Sequence, residues 1–290
     1  MQKVLFVIKK SIQFFLIYMI SAIIGEGVII GILAAMGYDP LHGVMPDGNF
    51  AQLMPYYGFT LFILITILFW KLIEKRSIKE LGFTKSVSGY LEGTLFAIVI
   101  LGVIVAGVCC TNGMSFNTVS HNINYQECIL WFVAFLIQGS AEEVMCRGFM
   151  LQSLRRKVSL PVAITVSSIA FVVPHILSLE GEISYVILSI INLFVVSGIF
   201  SMLVIRNNNL WIACGLHSIW NFVLSYVMGL RLSGSEGSRN GIIIFNVGKP
   251  SIINGGTYGI ESSVVTSIVL VVVLVVLVAG YKGQVKRHGI

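Results

Sequence analysis

Charge is what this chain has least of. Asp, Glu, Lys and Arg together fill 11% of 290 positions, hydrophobic residues fill 56%, and the mean hydropathy is +0.91. A water-soluble domain does not have that balance; a polytopic membrane protein does. The five cysteines, 109, 110, 128, 146 and 214, lie in or near apolar runs without any CxxC spacing. That excludes a disulfide framework and a zinc-thiolate site, and leaves them as small core hydrophobes. Tandem repeats, low-complexity tracts and soluble-looking stretches are missing as well, so 1–290 reads as a single membrane-embedded domain. The net charge is +6, yet Lys and Arg fall in short runs between apolar stretches, and no basic face with interleaved aromatics is available for nucleic acid. No GxSxG or Ser-Lys pattern frames Ser140 or Ser218, which argues against a serine nucleophile.

What the chain does have is a series of apolar runs: 14–36, 54–70, 90–110, 126–154, 160–179, 185–205, 210–230 and 264–281. Each is long enough for a span across ~30 Å of hydrocarbon. The first follows Lys3, Lys9 and Lys10 and has the charge pattern of a signal peptide at roughly twice the usual hydrophobic length, so it reads as a retained span. Within it Gly27 and Gly31 form a GxxxG that suits close helix contact, and Glu26 is a buried-charge candidate whose blander reading is a polar interface or the outer rim. The connections alternate in charge. Lys71, Lys75, Arg76, Lys79 and Lys85 share one, 111–124 has none, and Arg155, Arg156 and Lys157 share the next. Then come only Glu180 and Glu182, then Arg206, a mixed 231–261, and Lys282, Lys286 and Arg287. By the positive-inside rule this is an all-α transmembrane bundle of about eight spans with both termini cytoplasmic. Stretch 76–85, with Ile78, Leu81 and Phe83 among basic residues, suits a segment lying on the cytoplasmic surface. Loop 231–261, rich in Gly, Ser and Asn, should turn repeatedly and lie over the bundle mouth.

Against this apolar background Glu142, Glu143 and Arg147 stand out, because ionisable groups at bilayer depth are expensive and mark function by default. On a helix Glu143 and Arg147 share a face, while Glu142 sits about 100° round the axis. One carboxylate is thus paired and its neighbour left for chemistry. The fifth span carries His175 beside Pro174, which removes a backbone donor and should kink the helix. The seventh carries His217 and Asn221, four apart and on one face. Counting from the cytoplasmic end of each span at ~1.5 Å per residue puts Glu142 about 20 Å deep, His175 about 22 Å, His217 about 16 Å and Asn221 about 22 Å. The other histidines, His42, His121 and His288, fall in loops or the tail. Taken singly, each residue has a blander structural reading: interhelical histidine, amide glue, structural ion pair.

Together they suit water activation. Glu142 and His175 can hold and deprotonate a water, His217 and Asn221 can donate hydrogen bonds to the oxyanion of a tetrahedral intermediate, and Glu143 with Arg147 can hold helix and field in place. The residue types equally allow a metal, Zn2+ or another divalent ion on Glu142, His175 and His217, although no HExxH is present. Metal-free and metal-bound mechanisms both stay open at this point. A transporter or channel would need a polar path to both faces and an inverted repeat, and neither is visible.

The three motifs EEVMCRG, FVVPH and HSIWN, in this order on successive spans, resemble those of the CAAX-protease and bacteriocin-processing family (CPBP or Abi), intramembrane endopeptidases related to the Ras-converting CAAX enzyme. The resemblance covers 131–225 as the family core and departs from the pattern at none of the six positions. It continues loosely in KELGF and in GLRLSG and GGTYGIE of the outer loop, pieces that look like a common bacterial subgroup. It implies catalytic roles for Glu142 and His175 on the water, Asn221 and His217 on the oxyanion, and Glu143 and Arg147 in support. It further implies a multi-pass protein of the bacterial plasma membrane acting on a peptide or membrane-protein segment, in bacteriocin-type processing or immunity. Because family members also serve as non-catalytic regulatory or immunity partners, that output is the alternative.

Overall fold

The computed structural model describes residues 1–46, 49–84, 86–176, 179, 182–238 and 240–288; nothing is said of the side chains of 49, 50 and 285–288. Lys85 and Glu180, and the side chains of Lys286, Arg287 and His288, all used in the sequence reading, lie outside the described residues. The chain is a helical bundle. Its helices are α1 (Gln2–Ala35), α2 (Asn49–Gly58), α3 (Thr60–Leu72), α4 (Ser88–Cys110), α5 (Tyr125–Glu143), α6 (Leu160–Ile176), α7 (Ile183–Asn207), α8 (Trp211–Asn221) and α9 (Val264–His288). Among the described residues, six helical segments are long and apolar enough to cross a membrane: Gln2–Ala35, Ala51–Leu72, Ser88–Cys110, Tyr125–Leu154, Ile183–Asn207 and Val264–Gln284. The expected fifth and seventh spans, which bear the histidines, are the shorter rods 160–176 and 211–227. The chain is therefore an integral membrane protein whose two histidine-bearing helices are shorter than these six segments.

Local chemistry sets the helix ends. Asn124 caps α5 by accepting the Glu127 N–H at 3.1 Å, and Asn208 closes α7 in the left-handed region at φ 45°, where Asn is better tolerated than most residues. Beyond α5 the chain winds as a π-helix over Val144–Leu151, and beyond α8 again over Phe222–Val227. Such wide turns concentrate at functional sites, and both directly follow site residues here.

Glycine decides which helices meet most closely. A Cβ on Gly93 of α4 would lie 2.0 Å from the Ile212 carbonyl oxygen, and one on Gly215 of α8 2.1 Å from that of Tyr90, so α4 and α8 touch backbone to backbone. Gly93→Ala is expected to force them apart and destabilise the protein by about 1–3 kcal/mol, read as a lower Tm in detergent; an unchanged Tm would contradict this packing. The close contact expected at Gly27 and Gly31 is not made, because both face outward with open space around them. Gly25 makes it instead, against Gly58, where an added Cβ would stand 3.2 Å from the carbonyl oxygen. Glu26 is exposed rather than buried.

Two further expectations change. Stretch 76–84 docks on the bundle: the 3-10 turn Ile78–Leu81 buries Leu81 completely, Phe83 packs on Trp211 at 4.9 Å, and the Gly82 carbonyl accepts the Leu210 N–H at 2.8 Å. Leu81 and Phe83 thus serve the protein interior, while Ile78 stays exposed. Two outer connections, read as plain loops, pair as an antiparallel sheet of β1 (Met114–Val119) and β2 (Ile243–Val247). Loop 231–261 does turn repeatedly, with Ser233, Gly234, Gly255, Gly256 and Gly259 at positive φ, and it packs down toward α7 and α8 through Tyr258 and Glu261.

Candidate active site

α5, α6 and α8 bring the six predicted residues together, and the approach of α5 to α8 does most of this. Gly139 lets it happen: a Cβ there would lie 2.7 Å from the Ser218 backbone nitrogen. Against that contact His217 Nδ1 donates to Glu143 Oε1 at 2.9 Å. The same oxygen accepts from Arg147 Nη1 at 2.9 Å, and both side chains of this pair are 0% exposed. Arg147 Nη2 donates to the Ser197 carbonyl at 3.0 Å and hydroxyl at 2.5 Å. Its guanidinium lies 4.6 Å from the ring centre of Phe171 and 4.9 Å from that of Phe200. A fully desolvated charge needs that much compensation. Phe200 also stacks on the His217 ring at 5.2 Å and 16°, so this imidazole has little freedom to turn.

His175 is held differently. Its Nδ1 donates to the Phe171 carbonyl at 2.8 Å, four residues back on the same helix, and its ring packs on Phe171 at 4.8 Å. α6 runs through Pro174 and ends at Ile176. With both Nδ1 atoms committed, both Nε2 atoms face one carboxylate oxygen: Glu142 Oε2 lies 3.8 Å from His175 Nε2 and 3.9 Å from His217 Nε2. That oxygen is buried and makes no hydrogen bond.

The other Glu142 oxygen identifies a residue that sequence reasoning missed. Gln138 Nε2 donates to Glu142 Oε1 at 2.5 Å, and Gln138 Oε1 accepts from Asn221 Nδ2 at 2.7 Å. One amide thereby sets the orientation of an acid on α5 and an amide on α8. Its only sequence signal was its place four residues before Glu142, on the same helix face. Ser197 and Phe200 gave no signal, because α7 carries no charged or histidine motif to mark it. The remaining histidines stay away: His42 pairs with Asp39 at 2.8 Å on an exposed turn, and His121 is exposed in its loop.

The spacing of the donors tests what the gap can hold. Tetrahedral zinc, with bonds of about 2.1 Å, draws its ligand atoms to about 3.4 Å from each other. The separations of 3.8 and 3.9 Å are wider, and among the described residues no group of three or more His, Cys, Asp or Glu is spaced for a metal ion. A water suits the same gap, since two hydrogen bonds of about 2.8 Å meeting at slightly under a right angle span 3.8 Å.

Access comes from two sides. A cavity of about 130 Å3, lined by Tyr18, Phe62, Glu142, Pro174 and His175 among others, opens toward α1 and α3. A second cavity of about 290 Å3 shares the walls Tyr18, Phe59 and Phe62 with it and reaches Glu26. On the far side of the histidines a smaller one, about 40 Å3, lies beneath the outer loop.

Residues 124–223 match the family model described as type II CAAX prenyl endopeptidase Rce1-like. This stretch contains all six predicted residues and Gln138, and the match agrees with the resemblance carried by EEVMCRG, FVVPH and HSIWN. No curated protein matches the chain.

Proposed function

We propose that the Rce1-like segment makes this membrane protein an endopeptidase that cuts a peptide bond within the bilayer, using a water activated by Glu142 and His175. The observation that carries the reading is Glu142 Oε2, a buried carboxylate oxygen without a hydrogen bond, faced by two imidazole nitrogens across a water-sized gap. A water in that gap donates to Glu142 Oε2 and His175 Nε2 and turns its lone pair toward the scissile carbonyl. As its oxygen bonds to the carbonyl carbon, a proton passes to Glu142. The oxyanion that forms takes hydrogen bonds from Asn221 Nδ2, which has a second N–H beyond the one given to Gln138, and from His217 as an imidazolium whose Nδ1–H rests on Glu143. Collapse breaks the C–N bond, and Glu142 returns the proton to the leaving amine.

Each remaining side chain has a part in this scheme. Glu143 and Arg147 hold His217, the Phe171 carbonyl holds His175, and Gln138 holds the acid and the oxyanion donor in register. The aromatic groove from α1 and α3 supplies an apolar approach for a peptide or a membrane-protein segment in a bacterial plasma membrane. No step passes through a metal.

The test uses the full-length protein in lipid nanodiscs with a library of internally quenched peptides. Cleavage is expected to persist in excess EDTA and to fall by roughly 100-fold or more in His175→Ala. Loss of cleavage in EDTA with recovery on adding zinc would replace the water-only scheme by a metal-bound one. Equal rates for wild type and His175→Ala would remove the site.

A further inference from the structure

Glu261 comes down onto the histidine layer from the outer loop, in the short turn Ile260–Ser262 just ahead of α9. Three contacts fix it. Its Oε1 accepts the Trp220 indole N–H at 2.9 Å, its Oε2 accepts the Ser233 N–H at 2.6 Å, and its backbone carbonyl accepts Asn192 Nδ2 at 2.8 Å. The carboxylate thereby forms one wall of the cavity of about 40 Å3, whose lining also includes His175, His217, Asn192, Trp220 and Tyr258. That space suits two or three water-sized groups.

Apart from His217, whose imidazolium the proposed mechanism uses as a donor, the wall formed by Glu261, Asn192 and Tyr258 has an excess of acceptors. Asn192 Oδ1 is buried without a partner in a side chain 3% exposed, and the Tyr258 hydroxyl, in a side chain 2% exposed, has Ser233 as its neighbour. The Asn192 amide is not reversible, because its nitrogen faces two backbone carbonyls, Glu261 at 2.8 Å and Ser263 at 3.3 Å. Its oxygen therefore points an unused lone pair into the protein. Glu261 keeps acceptor capacity beyond the donors it already receives. The arginines around the site are already committed: Arg147 to Glu143 and Ser197, and Arg231, which packs against Gly259, to the Thr257 carbonyl and Glu236. Burial pushes the Glu261 carboxyl above the usual carboxylate range, against the pull of Ser233 and Trp220, and an incoming cation would hold it ionised.

We propose that this cavity is a substrate subsite for an ammonium group, with Glu261, Asn192 and Tyr258 selecting peptides that carry a lysine side chain or a free amino terminus close to the cleaved bond. An ammonium brings three donors and no acceptor, matching three oxygen-bearing walls, while Trp220 and Phe171 line the same space and suit a cation. The inference rests on the hydrolase reading of His175 and His217, which share the cavity.

The experiment compares four matched peptides, with lysine or norleucine beside the cleaved bond and with a free or acetylated amino terminus. They are assayed on wild type, Glu261→Gln and Tyr258→Phe in nanodiscs. An ammonium-bearing peptide is expected to have a KM lower than the acetylated norleucine peptide by roughly tenfold or more, and that ratio should collapse toward one in Glu261→Gln. Whichever arm shows the difference identifies the source of the ammonium. Tyr258→Phe removes only a hydroxyl whose neighbour is the Ser233 side chain, so it folds readily and should also shrink the ratio. The same peptides are bound to Glu142→Gln protein and their Kd compared by fluorescence anisotropy. A tenfold difference there supports the subsite even if wild type cleaves nothing, a result that would count against the hydrolase reading alone. Equal KM and equal Kd for all four peptides, or a preference unchanged in both variants, overturns the subsite.

Discussion

Glu142→Gln is expected to lower kcat for peptide cleavage by about 1000-fold or more while the protein folds as before. The carboxylate is the proton acceptor of the proposed step, and general-base assistance is typically worth about 100- to 10,000-fold. An amide in the same place cannot take the proton. The substitution is otherwise mild, since a glutamine oxygen can still accept from Gln138 Nε2, as Glu142 Oε1 does at 2.5 Å. Its NH2 can donate toward His175 Nε2, where a carboxylate oxygen now lies buried without a hydrogen bond, while the His217 imidazolium loses a carboxylate neighbour. An unsatisfied buried atom and a lost charge partner each cost about 1–3 kcal/mol and oppose one another here, so Tm should stay near the wild-type value. The measurement is kcat beside Tm on one preparation. Cleavage at the wild-type rate would mean that another group activates the water.

Arg147→Ala should have the opposite signature, with stability and activity lost together. The pair Arg147–Glu143 is fully buried, and removing one partner of such a pair costs about 3–5 kcal/mol, because the remaining carboxylate keeps only the His217 N–H. Here the loss extends to Ser197 and to the faces of Phe171 and Phe200. The double variant Arg147→Met with Glu143→Leu separates the two roles. With both charges gone, much of the stability should return, yet cleavage should stay low, because His217 Nδ1 loses the acceptor that aims its Nε2 at the site. Denaturant titration of the three proteins beside their kcat/KM decides this. A single variant destabilised by less than about 1 kcal/mol would show that the buried pair is not what holds the bundle around the site.

Much of the site was legible because a membrane makes polar residues conspicuous. Glu142, Glu143, Arg147, His175, His217 and Asn221 were found by type and helical spacing against an apolar background, and all six meet. Gln138 escaped because an amide four residues from an acid is ordinary in any helix; only its contact with Asn221 on α8 gives it a role. Glu261 was quoted within GGTYGIE but given no role, because charge in a Gly- and Ser-rich loop is expected and uninformative. The strand pair Met114–Val119 and Ile243–Val247 joins segments more than a hundred residues apart, and local pattern does not reveal such pairing. In α1, the GxxxG reading went to Gly27 and Gly31 while Gly25 makes the contact, since spacing alone does not tell a helix which way to face.

Composition and period were enough to say that this chain lives in a bilayer, that its secondary structure is helical, and that a small set of acids, imidazoles and an amide shares one depth. These follow from local free energies: the cost of burying charge, and the 3.6-residue turn that puts i and i+4 on one face. Packing between distant helices decided the rest. Gly139 against Ser218 and Gly93 against Ile212 set how near α8 comes to its neighbours. That separation determines which oxygen of Glu142 is satisfied by Gln138 and which is left facing the two histidines.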